Sequence, residues 1–275
     1  MPSKTNPTTK TNYTLQDLIN VMAKLRDPNG GCPWDLEQNF KTIAPHTIEE
    51  AYEVAQAIDN NDMTNLQEEL GDLLLQPIYH AQMASEAGHF DINDVINDIT
   101  AKMIHRHPHV FGDTTANTAN TANDVDAIWD QRKALETGKD TPQSALDGVP
   151  KALPAALRAQ KLQKKAAKTG FEWPNTDTAL EKLHEELAEL KEAQAQNDQE
   201  HMLEEFGDIL FVVINYGRML GLNAEEALRQ CNTKFEKRFK GMEDDFKAKN
   251  QTINDASLDE MLIAWNHQKL EPSKT

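Results

Sequence analysis

The sequence predicts an all-α protein made of two tandem helical bundles related by internal duplication. Three observations carry this prediction. Apolar residues recur at the three-and-four spacing of a helix face in segment after segment, and no convincing period-two strand appears. The chain is poor in strand and turn formers, with 6% aromatic residues, 12 Gly and 12 Pro in 275 residues. One acidic pattern also occurs twice: Glu49-Glu50-Ala-Tyr-Glu53 then Glu68-Glu69-Leu-Gly-Asp72, and Glu185-Glu186-Leu-Ala-Glu189 then Glu204-Glu205-Phe-Gly-Asp208. The interval between Glu49 and Glu69 equals that between Glu185 and Glu205.

Taken in order, residues 1–13 read as a disordered tail rich in Thr, Lys, Asn and Pro. An N-terminal helical domain is expected over 14–112. Leu15 to Leu25 carries one apolar face, and Asp27-Pro-Asn-Gly-Gly31 reads as a loop leading to Cys32-Pro-Trp34. The next helix is expected from Thr47, with Glu50 completing a capping box, to about Ile58. Met63 to Ala87 follows, with a kink expected at Pro77. Asp91 then caps a helix ending at His107-Pro108. Residues 113–145 read as a linker, with a Thr-Ala-Asn repeat over 114–123 and a short helix over 124–135 that carries Trp129. The C-terminal domain, 146–275, repeats the order. Its expected helices are Ala155 to Ala167, Thr178 to Ala195, Gln199 to Leu220, Asn223 to Met242 and Leu258 to Leu270, with Trp173 in the loop after the first.

Bulk properties narrow the function. A net charge of −17 disfavours a nucleic-acid backbone as partner, because phosphates need Lys and Arg to displace their counterions. Cys32 and Cys231 have no metal-ligand spacing and no disulfide framework, which fits a reducing cytoplasm. The start of the chain lacks the apolar core of a signal peptide. The longest apolar run, Ile209 to Ile214, is too short to span a bilayer.

The acids point to a metal. Residues three or four apart share a helix face, so Glu185 and Glu189 point together with Glu186 beside them, and Glu205 points with Asp208. If the two helices pack through Leu183, Leu187 and Leu190 against Leu203, Phe206 and Leu210, the acids meet along one edge. Their repulsion would be relieved by a hard cation with oxygen ligands, Mg²⁺ or Mn²⁺. Gly207 and Gly71 would then serve close helix approach. A lone E-E-x-x-E is usually a solvated stripe, but the paired and duplicated pattern is not explained that way. Each half also places cations downstream: Lys102 and Arg106 with Trp129 and Lys133, and Lys234 and Arg238 with Trp265 and Lys269. These can neutralise phosphate oxygens, so the site suits a polyphosphate. His105-Arg-His-Pro-His109 reads as structural or as a substrate edge, because Pro108 interrupts the helix and no Cys lies near.

On Thr47-Ile-Glu-Glu50-Ala-Tyr-Glu53, Glu69-Leu-Gly-Asp72, His105-Arg-His-Pro-His-Val-Phe111, Gly31-Cys-Pro-Trp-Asp35 and the second copy of the acids, the chain resembles the MazG family of nucleoside triphosphate pyrophosphohydrolases. The resemblance covers nearly the whole chain. It implies an all-α homodimer that cleaves nucleoside triphosphates to the monophosphate and pyrophosphate with Mg²⁺, chiefly in the C-terminal copy. Carried to matching positions, the metal ligands are Glu185, Glu186, Glu189, Glu205 and Asp208, with Glu204 nearby. The nucleotide contacts are Lys182, Lys234, Arg238, Trp265 and Lys269. Glu49, Glu50, Glu53, Glu69 and Asp72 form a second metal site. The first copy has His46 where the second has Lys182, and His46 is the weaker phosphate partner. The expected reaction is in-line attack of water on the α-phosphorus. Glu185, Glu186, Glu189, Lys234 and Arg238 form the catalytic set, and Glu186 or Glu189 orients or deprotonates the water. A nucleotide sensor that binds metal and nucleotide without hydrolysis, a helical scaffold for basic partners, and a phosphoribosyl-ATP hydrolase are the competing readings. The last normally comes as one short domain.

Overall fold

The structure, a computed structural model, describes residues 12–112 and 144–270 together with positions 121, 125 and 128. The Thr-Ala-Asn repeat, the short linker helix, Trp129 and Lys133 lie outside the described residues (apart from those isolated positions), as does nearly all of the N-terminal tail. The chain divides into two compact units, Met1–Lys139 and Asp140–Thr275. Among the described residues both are entirely helical, with no strand.

The first unit holds α1 (Leu15–Leu25), α2 (Pro33–Glu37), α3 (Phe40–Asp59), α4 (Met63–Glu86), α5 (Ile92–Arg106) and α6 (Pro108–Phe111). The second holds α7 (Ala155–Ala167), α8 (Thr176–Gln196), α9 (Gln199–Met219), α10 (Ala224–Ala248), a 3₁₀ turn (Ile253–Asp255) and α11 (Leu258–Leu270). The centre of each unit is a helical hairpin, α3 on α4 and α8 on α9; α1 packs on α4 in the first, and α7 on α9 in the second.

The two hairpins turn by the same device, displaced by 136 residues. Asn61 and Asn197 adopt left-handed backbone, with φ of 53° and 54°, a conformation that Asn tolerates better than most residues. Asp62 and Asp198 follow and cap α4 and α9: Asp62 accepts from the N–H of Thr64 and Asn65, and Asp198 from that of His201. The turn chemistry, not only the acids, is therefore duplicated.

Two boundaries differ clearly from expectation. Helix α3 begins at Phe40, not Thr47, because Asn39 caps it in a reciprocal box with Thr42. Thr47 lies inside the helix, its hydroxyl 3.0 Å from His80 Nε2. Pro45 is accommodated early in α3 and Pro77 inside a continuous α4. Helix α10 also runs past Met242 to Ala248, where Met242 and Phe246 are buried with Ala264 of α11.

The first unit has a compact core of Met22, Ile43, Ile78, Tyr79 and Met83. A polar clamp closes its end. Arg26 is buried and binds Glu86 through both carboxylate oxygens at 2.7–3.1 Å, and it also donates to the carbonyl of Asp35. Its hydrogen bond to Arg26 holds the Glu86 carboxyl below the usual range against a smaller opposing effect of burial. A depressed carboxylate pKa adds stability above its unfolded value, and that stability is lost as pH falls through the folded value. Glu86→Gln is therefore expected to cost about 1–2 kcal/mol at pH 7, reduced by the partial exposure of Glu86, and to cost less at pH 3. Urea denaturation at the two pH values checks this; an equal loss at both would rule the clamp out as the acid-sensitive element.

Candidate active site

In each hairpin an acid sits in the middle of a buried stripe. Along α8, Ala179, Glu186 and Ala193 are buried, and along α3, Ile43 and Ala57 are buried on either side of half-buried Glu50. Residues seven apart return to the same helix face after two turns, so Glu186 and Glu50 face the partner helix at the middle of the pairing. Glu205 and Asp208 of α9 meet Glu186, with ligand oxygens of the three within 4.8 Å of one another. Glu69 and Asp72 of α4 meet Glu50 in the same way.

The second cluster is the more deeply set. Glu186 is 5% exposed and Glu205 7%. One oxygen of Glu205 is bound by His201 Nε2 at 2.9 Å, while the other, Oε2, is buried without a hydrogen-bond partner. Lys182, one turn before Glu186, lies 2.7 Å from Glu186 and 2.8 Å from Glu185. Its hydrogen bond to Glu185, then that to Glu186, holds the ammonium well above its usual pKa. Burial pushes the Glu186 carboxyl up, but Lys182, Glu189 and Glu205 together outweigh it and hold it below the ordinary range. Glu189 is pushed up, first by its hydrogen bond with Glu186 and then by burial and the charge of Glu205. In the first cluster, burial, then Asp72 and Glu53, push Glu50 up, and burial, then Glu53 and Asp72, push Glu69 up. The His46 ring is 3.4 Å from Glu49 and takes the place that Lys182 has in the second copy.

A hard divalent cation fits this donor set. Three convergent carboxylates, one with a buried unpartnered oxygen, offer oxygen ligands and excess negative charge. Of the six acids expected as ligands in the second copy, Glu186, Glu205 and Asp208 converge. Glu189, half-buried on the same helix, lies outside that group, as do the exposed Glu185 and Glu204. In the first copy Glu50, Glu69 and Asp72 converge, and Glu49 is exposed. The expected leucine seam is not what brings the acids together. Leu187, Leu203, Phe206 and Leu210 are 39–72% exposed, because the buried stripe runs through Ala179, Glu186 and Ala193. A Cβ added to Gly71 or Gly207 would meet nothing within 4 Å, so neither glycine serves close helix approach within the described chain.

Beside the second cluster lies a cavity of about 590 Å³. Lys182, Glu186 and Asp208 line it together with Phe171 and Trp173 of the loop after α7, Gln163 of α7, and Phe211 and Asn215 of α9. Gln163, Phe171 and Asn215 do not stand out in the sequence. The one available signal for Asn215 was a polar residue just after the apolar run Ile209 to Ile214. Of the expected nucleotide contacts, Lys182 lines this cavity. Lys234 and Arg238 lie one turn apart on α10, Lys234 exposed and Arg238 half-buried. Trp265 packs against Phe235, ring centroids 5.3 Å apart, in the α10–α11 core, and Lys269 is exposed in the last turn of α11. In the His105–His109 segment, His107 Nδ1 is 2.7 Å from the carbonyl of Met103, and its ring lies 5.6 Å from that of His109.

The profile of the MazG nucleotide pyrophosphohydrolase domain matches the chain twice, over residues 38–111 and 175–242. Each match contains one hairpin and its acids. A nucleoside triphosphate pyrophosphohydrolase of Escherichia coli (strain K12) is 44% identical over 257 residues, spanning 93% of this chain and 97% of its own. A nucleoside triphosphate pyrophosphohydrolase/pyrophosphatase MazG of Thermotoga maritima is 39% identical over 255 residues, 93% of this chain and 95% of its own. The solved structure of a mazG-related protein from Thermotoga maritima is 28% identical, with a TM-score of 0.37, covering 44% of this chain and 99% of that one. With two copies of the domain and 44% identity sustained along nearly its full length, the chain belongs to the MazG nucleotide pyrophosphohydrolase family.

Proposed function

We propose that the chain hydrolyses nucleoside triphosphates to the monophosphate and pyrophosphate at the α8–α9 site. The observation that carries this is one cavity that combines two of the three convergent carboxylates, Glu186 and Asp208, a lysine and an aromatic-lined recess. Phosphate chemistry needs the first two, and a nucleoside fits the third.

Glu186, Glu205 and Asp208 would hold a divalent cation, Mg²⁺ in our reading. When bound it supplies positive charge against the phosphate oxygens and acidifies coordinated water. Lys182 keeps Glu186 ionised and oriented, and its ammonium is the cation within the cavity that can meet a phosphate oxygen. Glu189 lies one turn beyond Glu186 and outside the convergent three, so it is the carboxylate left to accept the proton of the attacking water. Lys234 and Arg238 are proposed to neutralise the outer phosphates. The apolar wall of Phe171, Trp173 and Phe211 excludes water from around the nucleoside.

The chain would act as a homodimer. Support comes from the exposed row Leu203, Phe206, Leu210 and Val213 on α9, beside an apolar groove between α7, α9 and α10. A cytoplasmic setting fits two free cysteines, Cys32 and Cys231. Among the described residues no helix is long and apolar enough to cross a membrane. The activity is tested by pyrophosphate release with Mg²⁺ in ¹⁸O-labelled water. Label is expected in the nucleoside monophosphate; label in pyrophosphate would overturn attack at the α-phosphorus.

A further inference from the structure

The cavity beside the acids carries two buried amides whose orientation the structure determines. Gln163 is 5% exposed, and its amide nitrogen donates to the carbonyl of Phe211 at 2.8 Å. A carbonyl can only accept, so Nε2 must face Phe211 and Oε1 must face the other way. That oxygen is buried and has no partner, a state that costs about 1–3 kcal/mol unless a ligand relieves it. Asn215 is 9% exposed, and its Oδ1 accepts from Arg218 Nε at 2.8 Å. Arg218 is in turn paired with Glu172, between Phe171 and Trp173 in the loop that borders the cavity. The Asn215 amide is thereby held with its NH₂ as the end left to a ligand. Gln163 and Asn215 both line the recess, one carrying a buried unpartnered acceptor and the other a donor.

We infer that Gln163 and Asn215 read the pairing edge of the nucleobase. Gln163 Oε1 accepts from a base N–H, and Asn215 Nδ2 donates to a ring nitrogen or carbonyl. The inference rests on the proposed function and specifies its substrate class. Each of the common bases offers both an N–H and an acceptor on its pairing edge, so the pair admits all of them. It rejects a base stripped of that N–H.

The first unit supplies an independent contrast. The residue 136 positions before Asn215 is Tyr79, which is 4% exposed in the core with Met22 and Ile78. Its hydroxyl donates to Asp35 Oδ1 at 3.0 Å, and the Arg26 guanidinium lies 5.6 Å from its ring centroid. The acids are duplicated, yet this register position is packed shut in the first unit and opens on a cavity in the second. The first site therefore takes no base at this position.

The test compares ATP with purine riboside 5′-triphosphate, which lacks only the amino group, using the full-length protein with Mg²⁺. The wild type is expected to favour ATP by about 10–100-fold in kcat/KM, the fold-change that corresponds to leaving one buried acceptor unpaired. Gln163→Met should bring the ratio near one by weakening ATP alone. Any general damage from losing the bond to Phe211 cancels within that ratio. CTP against 2-pyrimidinone riboside triphosphate should behave alike. Wild-type ratios near one, or ratios unchanged in Gln163→Met, overturn the inference while leaving pyrophosphate release intact. If the wild type releases no pyrophosphate, the proposed function fails. The base comparison is then read by thermal shift with the α,β-methylene forms of ATP and of the purine riboside triphosphate: a larger shift with the former supports the base reader, and equal shifts overturn it.

Discussion

Glu186→Gln is expected to lower pyrophosphate release by at least about 10³-fold, the scale on which a charged group acting on the transition state contributes. Glu50→Gln, its counterpart in the first unit, is expected to change release by less than about 3-fold, the range of surface-like effects. Both residues occupy the middle of a hairpin stripe, and both meet a Glu and an Asp from the facing helix. The acids alone would predict equal effects. Two neighbours separate the copies. Lys182 lies 2.7 Å from Glu186, while His46 lies beside Glu49. A cavity also adjoins Glu186, whereas Tyr79 packs into the core at the matching place in the first unit. Steady-state pyrophosphate release from the two variants, with folding confirmed by circular dichroism, checks this. A comparable loss in both would mean that the first unit shares the chemistry.

Glu205→Gln is expected to raise thermal stability in metal-free buffer while abolishing the stabilisation by Mg²⁺. Without a cation, Glu205 keeps a buried oxygen unpartnered and packs against Glu186 and Asp208. An amide of the same shape removes a charge from that cluster, with an expected gain of about 1–3 kcal/mol. The contact of His201 with Glu205 offsets part of it. A ligand that binds the folded state alone stabilises it by about 2.7 kcal/mol at one hundred times its dissociation constant. The wild type should therefore gain in Mg²⁺ and the variant should not. Thermal denaturation of both in chelator and in Mg²⁺ measures the difference. A destabilised variant that still responds to Mg²⁺ would place the cation elsewhere.

Much of this protein was legible in local pattern. The start and stop of α1, the cap Asp91 and the doubled acidic motif depend on contacts within a few residues. The start of α3 lies earlier than Thr47 with Glu50 predicts, because Asn39 with Thr42 caps the helix upstream of it and Pro45 is accommodated inside. The choice among the acids depended on helix phase. Glu185 and Glu189 share a face in an isolated helix, but the pairing with α9 turns Glu186 inward through the small residues Ala179 and Ala193.

By itself the sequence determined the all-α class, the duplication and the carboxylate chemistry, because periodicity, caps and a repeated motif are properties of neighbours along the chain. Tertiary structure decided which three carboxylates converge, and that Asn215 opens on a cavity where Tyr79 is packed into a core. Those outcomes depend on contacts between residues far apart in the chain, as with the Gln163 amide and the Phe211 carbonyl, 48 residues apart, and on the volume that packing leaves between helices.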